Sequence, residues 1–114
     1  MLPEKRDLAY LWDMREESKN IVAFTNNVPY DQFVRNKMIR YAIERSLLII
    51  GEAANHVSEK FKEANADIPW QQIIGQRNVL AHEYGEINVD RIWFSATVSV
   101  PVLLKALDGL LPES

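Results

Sequence analysis

The sequence predicts an all-α fold, on three observations. Apolar residues recur at intervals of three and four, no stretch alternates apolar and polar with period two, and the interruptions are clusters of Asn, Pro and Gly. Helix one runs from about Pro3 to Phe24. Pro3 suits a first turn, and Leu8, Leu11, Met14, Ile21 and Phe24 stand at helical spacing. Asn26-Asn27-Val28-Pro29 breaks it. Helix two is long, from about Asp31 to Lys62. Ile39, Ile43, Leu47, Ile50, Ala54, Val57 and Phe61 form one stripe, and Val34, Met38, Tyr41 and Leu48 a second beside it. A helix apolar on two sides is wrapped by neighbours, so this is the central helix of a bundle.

Asp67 offers an N-cap with Pro69 just inside helix three, which carries Trp70, Ile73, Ile74 and Leu80 and stops at Gly85. Asn88 caps helix four, which holds Ile92, Trp93, Leu103, Leu104 and Leu107. Pro101 should kink or divide that helix, because it lacks an N–H and crowds the preceding turn. The expected architecture is an up-and-down bundle of four to five helices in a single domain, residues 1–114.

Composition narrows the chemistry. The chain has 114 residues and no cysteine, so disulfides, a thiolate nucleophile and Cys-ligated zinc are excluded. The N-terminus is charged where a secretory signal is apolar, and Leu47-Leu48-Ile49-Ile50 is far too short to span a bilayer. A cytoplasmic protein is expected. The net charge of −3 disfavours an extended, sequence-independent nucleic-acid binder, while leaving room for a small basic site.

The segment Arg77-Asn78-Val79-Leu80-Ala81-His82-Glu83-Tyr84 concentrates reactive groups. Arg77 is permanently cationic and can grip two phosphate oxygens. His82 exchanges protons near neutrality. The Tyr84 hydroxyl donates, accepts or can be modified. Cleavage of RNA needs such functions: a base for the 2′-OH, charge to stabilise the phosphorane, and an acid for the leaving 5′ oxygen. Residues 77 and 82 lie about 140° apart around a helix, so they do not share a face. One histidine does not readily serve as both base and acid. A second copy across a two-fold axis would supply another, which favours a homodimer with a composite site. Against this stands a plain structural reading, in which Arg77 and His82 cap a helix C-terminus and complement its dipole.

The segment resembles the Arg-x4-His-x-Tyr motif of the HEPN superfamily, and specifically of HepT-like ribonuclease toxins. Asn78 directly after the arginine fits the same habit. Ala42-Ile43-Glu44-Arg45, Gly51-Glu52-Ala53-Ala54 and Ile68-Pro69-Trp70 are similar to stretches of this family in the same order, so the likeness runs from about Leu8 to Leu111. The resemblance implies a HEPN-type homodimeric bundle that cleaves RNA without metal or other cofactor, with two motifs lining one cleft. It implies Arg77 and His82 as catalytic residues. It also implies a minimal nucleotidyltransferase (MntA-like) antitoxin as partner, in a type VII-like toxin–antitoxin pair, and Tyr84 as the acceptor of AMP. An AMP group there would block the cleft and set negative charge beside Arg77. A non-catalytic HEPN dimer that binds a nucleotidyltransferase or a nucleotide is the alternative.

Glu52 and His56, one helical turn apart, make at most half a metal site, and no metal is expected. Glu52 either lines the cleft and supports Arg77, as Asn78 could, or serves a solvent-facing or capping role, and His56 reads as a surface or boundary residue. Arg35, Lys37, Arg40 and Arg45 form either an RNA or antitoxin track or a solvated face with pairs such as Arg40–Glu44. Trp70 and Trp93 read as core anchors rather than stacking platforms.

Overall fold

The computed structural model describes residues 4–82 and 87–112. Among them there are helices and no strands, as the apolar spacing predicts. Helix α1 spans Lys5–Thr25, α2 Tyr30–Arg35, α3 Lys37–His56, α4 Glu59–Ala64 and α5 Trp70–His82. Helix α6 spans Val89–Leu110. It runs as an α-helix to Phe94, a π-helical turn over Ser95–Ser99, and an α-helix from Val100.

Helix α3 is the central element. It packs along α1 on one side and α5 on the other, and the C-terminal half of α6 closes against α1. The core comes from Leu11, Met14 and Ile21 of α1, Ile43, Leu47 and Ile50 of α3, Leu80 of α5, and Leu103 and Leu107 of α6. Each such side chain contributes about 1.5–3 kcal/mol on leaving water. Trp70 is buried, its indole N–H donating to the Asn65 carbonyl at 3.0 Å. Trp93 packs against Phe33 with ring centroids 4.9 Å apart. Both tryptophans are anchors, as expected.

The turn after α1 needs Asn27 at a φ of 60°, a left-handed conformation that Asn tolerates well. Three expectations are corrected. First, the long helix from Asp31 to Lys62 is three helices. Asn36 ends α2 and caps α3 by accepting from the Ile39 N–H at 3.1 Å. Val57 leaves the helix in an extended conformation, and Ser58 caps α4 by accepting from the Phe61 N–H. Asp7, buried on α1, accepts from the Ser58 N–H at 2.8 Å and from its hydroxyl at 2.6 Å, fixing that joint. Second, Met38 and Tyr41 of the second stripe are exposed. The small residues Gly51, Ala53 and Ala54 are buried on α3 together with Ile43, Leu47 and Ile50. Third, Asp67 lies in the turn before α5, and Pro69 stands one residue before the helix rather than inside it. The Pro69 carbonyl accepts from the Ile73 N–H at 3.1 Å, the first bond of the helix.

Asn88 caps α6, accepting from the Arg91 N–H at 3.2 Å. Pro101 falls where the regular α-helix is interrupted, as expected: the α-helix gives way to the π turn at Ser95 and resumes at Val100, with Pro101 in its first turn. The π turn just before it, in which the Val100 N–H reaches back to Ser95, widens the spiral where Pro101 would crowd the preceding turn. By length and composition α6 alone among the described helices is apolar enough to cross a membrane, a run longer than the one noted at Leu47–Ile50. Ile92, Ala96, Val100, Leu103 and Leu107 of its inner face are core residues of the bundle. Pro3, Tyr84 and the expected stop at Gly85 lie outside the described residues.

Candidate functional site

Arg77 stands on α5 where that helix comes closest to α3. The approach is set by Gly51. A Cβ built there would lie 2.2 Å from Arg77 Cβ, 2.9 Å from its Cγ and 3.1 Å from the Ile73 carbonyl oxygen. Only a residue without a side chain lets the two backbones meet this closely. One residue further along α3, Glu52 projects beside the arginine.

The result is an ion pair between Arg77 Nη2 and Glu52 Oε2 at 2.7 Å. Arg77 Nη1 donates to Asn78 Oδ1 at 3.0 Å. Its Nε is buried and makes no hydrogen bond among the described residues. The two residues named as supports for Arg77, Glu52 and Asn78, therefore both touch it. Glu52 also pairs with His56, Oε1 to Nε2 at 3.3 Å. That hydrogen bond, and then the charge of Arg77, hold the Glu52 carboxyl below the usual carboxylate range.

His56 is thus no isolated surface residue. Its ring stacks on Tyr10 of α1, with centroids 5.1 Å apart and 18° between planes. Tyr10, Asp13, Arg45, Glu52, His56 and Arg77 surround one open cleft of about 420 Å³, floored by Leu48, Ile49 and Ala53 of α3. Tyr10 and Asp13 were missed by reasoning from sequence. Helix α1 carries many charged residues, so nothing in the sequence sets these two apart.

His82 is the last described residue of α5 and is exposed. It does not line the cleft, although its neighbour Ala81 does. Within one chain the structure brings together Arg77, Glu52 and Asn78 and leaves His82 beyond the rim, as the 140° offset of about one and a half turns predicts. Tyr84 lies outside the described residues.

The four basic residues do not form one track. Arg45 faces the cleft, whereas Arg35 and Lys37 flank a shallow hollow at the α2–α3 joint. Arg40 donates to the Val34 carbonyl instead of pairing with Glu44. Among the described residues no three His, Cys, Asp or Glu side chains are grouped as a metal centre would need.

The fold and site define an all-helical domain with an arginine held in an open cleft by a carboxylate and a histidine five residues on. Comparison with known proteins makes it specific. Residues 14–110 match the HepT-like family, described as ribonuclease HepT-like, and the chain belongs to that family. A protein of Methanocaldococcus jannaschii provisionally named an RNase is 38% identical over 105 residues, covering 91% of this chain and 96% of the relative. A second from the same organism, likewise provisionally named, is 33% identical over 110 residues, 96% of this chain and 91% of the relative. A protein of Thermococcus cleftensis provisionally named ribonuclease HepT is 32% identical over 94 residues, 82% of this chain and 86% of the relative. No solved structure matches the chain.

Proposed function

We propose that this protein is a metal-independent endoribonuclease that acts as the toxin of a type VII-like toxin–antitoxin pair. The observation that carries the reading is the Arg77–Glu52 pair at 2.7 Å, which fixes a guanidinium at a cleft on the helix that also presents His82. The names of the relatives support the reaction class.

The working unit is a homodimer in which two copies of the motif segment face one RNA strand. One His82 takes the proton of the 2′-OH as that oxygen attacks the adjacent phosphorus. Arg77 stabilises the charge of the phosphorane. The second His82 gives a proton to the departing 5′ oxygen, so the products are a 2′,3′-cyclic phosphate and a 5′-OH. Glu52 and Asn78 position Arg77 and touch no substrate.

Regulation falls to a minimal nucleotidyltransferase of the MntA type. It would transfer AMP from ATP to the Tyr84 hydroxyl with loss of pyrophosphate, adding a negatively charged phosphodiester to the motif segment.

The direct test uses purified protein and RNA in EDTA. Cleavage to 2′,3′-cyclic ends is expected. Arg77→Ala and His82→Ala should each abolish it while leaving a folded dimer by light scattering. Activity retained in either variant refutes the assigned roles. Growth arrest on expression, relieved by the partner together with a mass shift of AMP on Tyr84, tests the toxin–antitoxin pairing.

A further inference from the structure

The cleft holds more than the cleavage chemistry uses. Arg45 and Arg77 bring two positive charges, but Asp13 and Glu52 bring two negative ones. A groove meant only to track phosphates would not carry two carboxylates, because each repels the backbone. As hydrogen-bond acceptors, however, carboxylates suit the N–H edges of a base.

Glu52 is already committed to Arg77 and His56. Asp13 is exposed and makes no ion pair or side-chain hydrogen bond among the described residues, although it lines the same cleft. Beside it, the stacked rings of Tyr10 and His56 form an aromatic wall, and Leu48, Ile49 and Ala53 form an apolar floor. An aromatic wall over an apolar floor is how proteins hold an unstacked base of single-stranded RNA. The volume of about 420 Å³ lies in the range of small-molecule sites and admits one nucleotide.

We propose that this cleft is a guanine subsite for the nucleotide next to the scissile phosphate, with Asp13 reading the base and the Tyr10–His56 pair stacking on it. The inference rests on the RNA-cleaving reading above. The choice of guanine follows from the acceptor set. A carboxylate offers two adjacent acceptors, and of the four RNA bases only guanine presents two adjacent donors on its Watson–Crick edge, N1–H and the 2-amino group. Adenine and cytosine each place an amine beside an acceptor, and uracil a single N–H between two carbonyls. Arg45, which also lines the cleft, would meet the phosphate of the same nucleotide.

Two measurements test this on the full-length protein. Titration with guanosine, adenosine, cytidine and uridine 3′-monophosphates should show guanosine binding about tenfold more tightly than the others, the discrimination of one good bidentate base contact. Asp13→Asn, which turns one acceptor into a donor, should erase the preference. Tyr10→Ala should weaken all four ligands, and Glu63→Gln, the same charge change on exposed α4, should keep the preference. Cleavage mapping on an RNA containing every dinucleotide step should show cuts beside guanine enriched about tenfold, and Asp13→Asn should flatten that pattern. Equal binding of the four nucleotides, or a guanine preference that survives Asp13→Asn, overturns the subsite. Guanine-selective binding without cleavage of any RNA overturns instead the ribonuclease reading and assigns the cleft to free guanine nucleotides.

Discussion

Replacing Gly51 with alanine tests the link between helix packing and the site. The new methyl would sit 2.2 Å from Arg77 Cβ and 3.1 Å from the Ile73 carbonyl oxygen. Non-bonded carbon atoms rest at about 3.5–4.0 Å, so α3 and α5 must part here by roughly 1.5 Å. The atoms in the way are a Cβ and a backbone oxygen, which cannot swing aside like the end of a long side chain. Overpacking of this severity costs about 3 kcal/mol. Alanine returns about 1 kcal/mol through its better helix propensity. The net expectation is about 2 kcal/mol of destabilisation, or a Tm lower by about 8 °C for a chain of this size. Because the displacement is centred on Arg77, RNA cleavage should fall about 100-fold at temperatures where the variant is fully folded. Urea unfolding followed by far-UV circular dichroism gives the first quantity. Gly75→Ala is the control: it sits on the same helix as Arg77 and a Cβ there meets nothing within 4 Å. That variant should gain about 1 kcal/mol. If Gly51→Ala is as stable as Gly75→Ala, the close approach of α3 and α5 is wrong, and with it the account of how Arg77 is placed.

Three further outcomes rest on buried or paired side chains. Asp7→Ala removes the buried acceptor of the Ser58 N–H and hydroxyl, so unfolding in urea should show a loss of about 2–3 kcal/mol; a change within about 0.5 kcal/mol would mean the α3–α4 joint does not depend on it. Glu52→Gln should slow RNA cleavage tenfold or more at neutral pH by freeing Arg77 from its set orientation, where a merely surface pair would change nothing. The folded pKa of Glu52 is depressed, so its contribution to stability is present above the usual carboxylate range and is lost as pH falls through the lowered value. The stability gap between the wild type and Glu52→Gln should therefore be flat near neutrality and close in acid, and a gap that widens on acidification would refute the assignment.

Helical content, the break at Asn27, the cap at Asn88 and the anchoring of Trp70 were legible because each is a local property of a few residues. The divisions at Asn36 and Ser58 were not, although both are good capping residues. The apolar stripe from Ile39 to Phe61 passes through Ser58 without a change of phase, and Val34 and Met38 keep the helical spacing across Asn36. Periodicity reports which face is buried and is silent on whether the backbone is continuous. At the site, Arg77, Asn78 and Glu52 could be named in advance because their spacing and the family likeness single them out. Their grouping with Tyr10 and Asp13 depends on α1 lying along α3, a tertiary contact between segments about forty residues apart that no local pattern encodes. For the same reason His56 looked peripheral: what makes it part of the cleft is the ring of Tyr10.

The π turn over Ser95–Ser99 has a consequence for how this chain can change length. A π turn holds one more residue than the α-helical turn it replaces. Deleting one residue between Ser95 and Ser99 would turn the π turn into an α turn, and everything beyond it would keep nearly the same rotational phase. Leu103 and Leu107 would stay on the core face. The same deletion at Val102, within regular α-helix, would instead rotate both by about 100° and take them out of the core. Ser95–Ser99 is thus a place where α6 can lose a residue without costing the bundle its closing face.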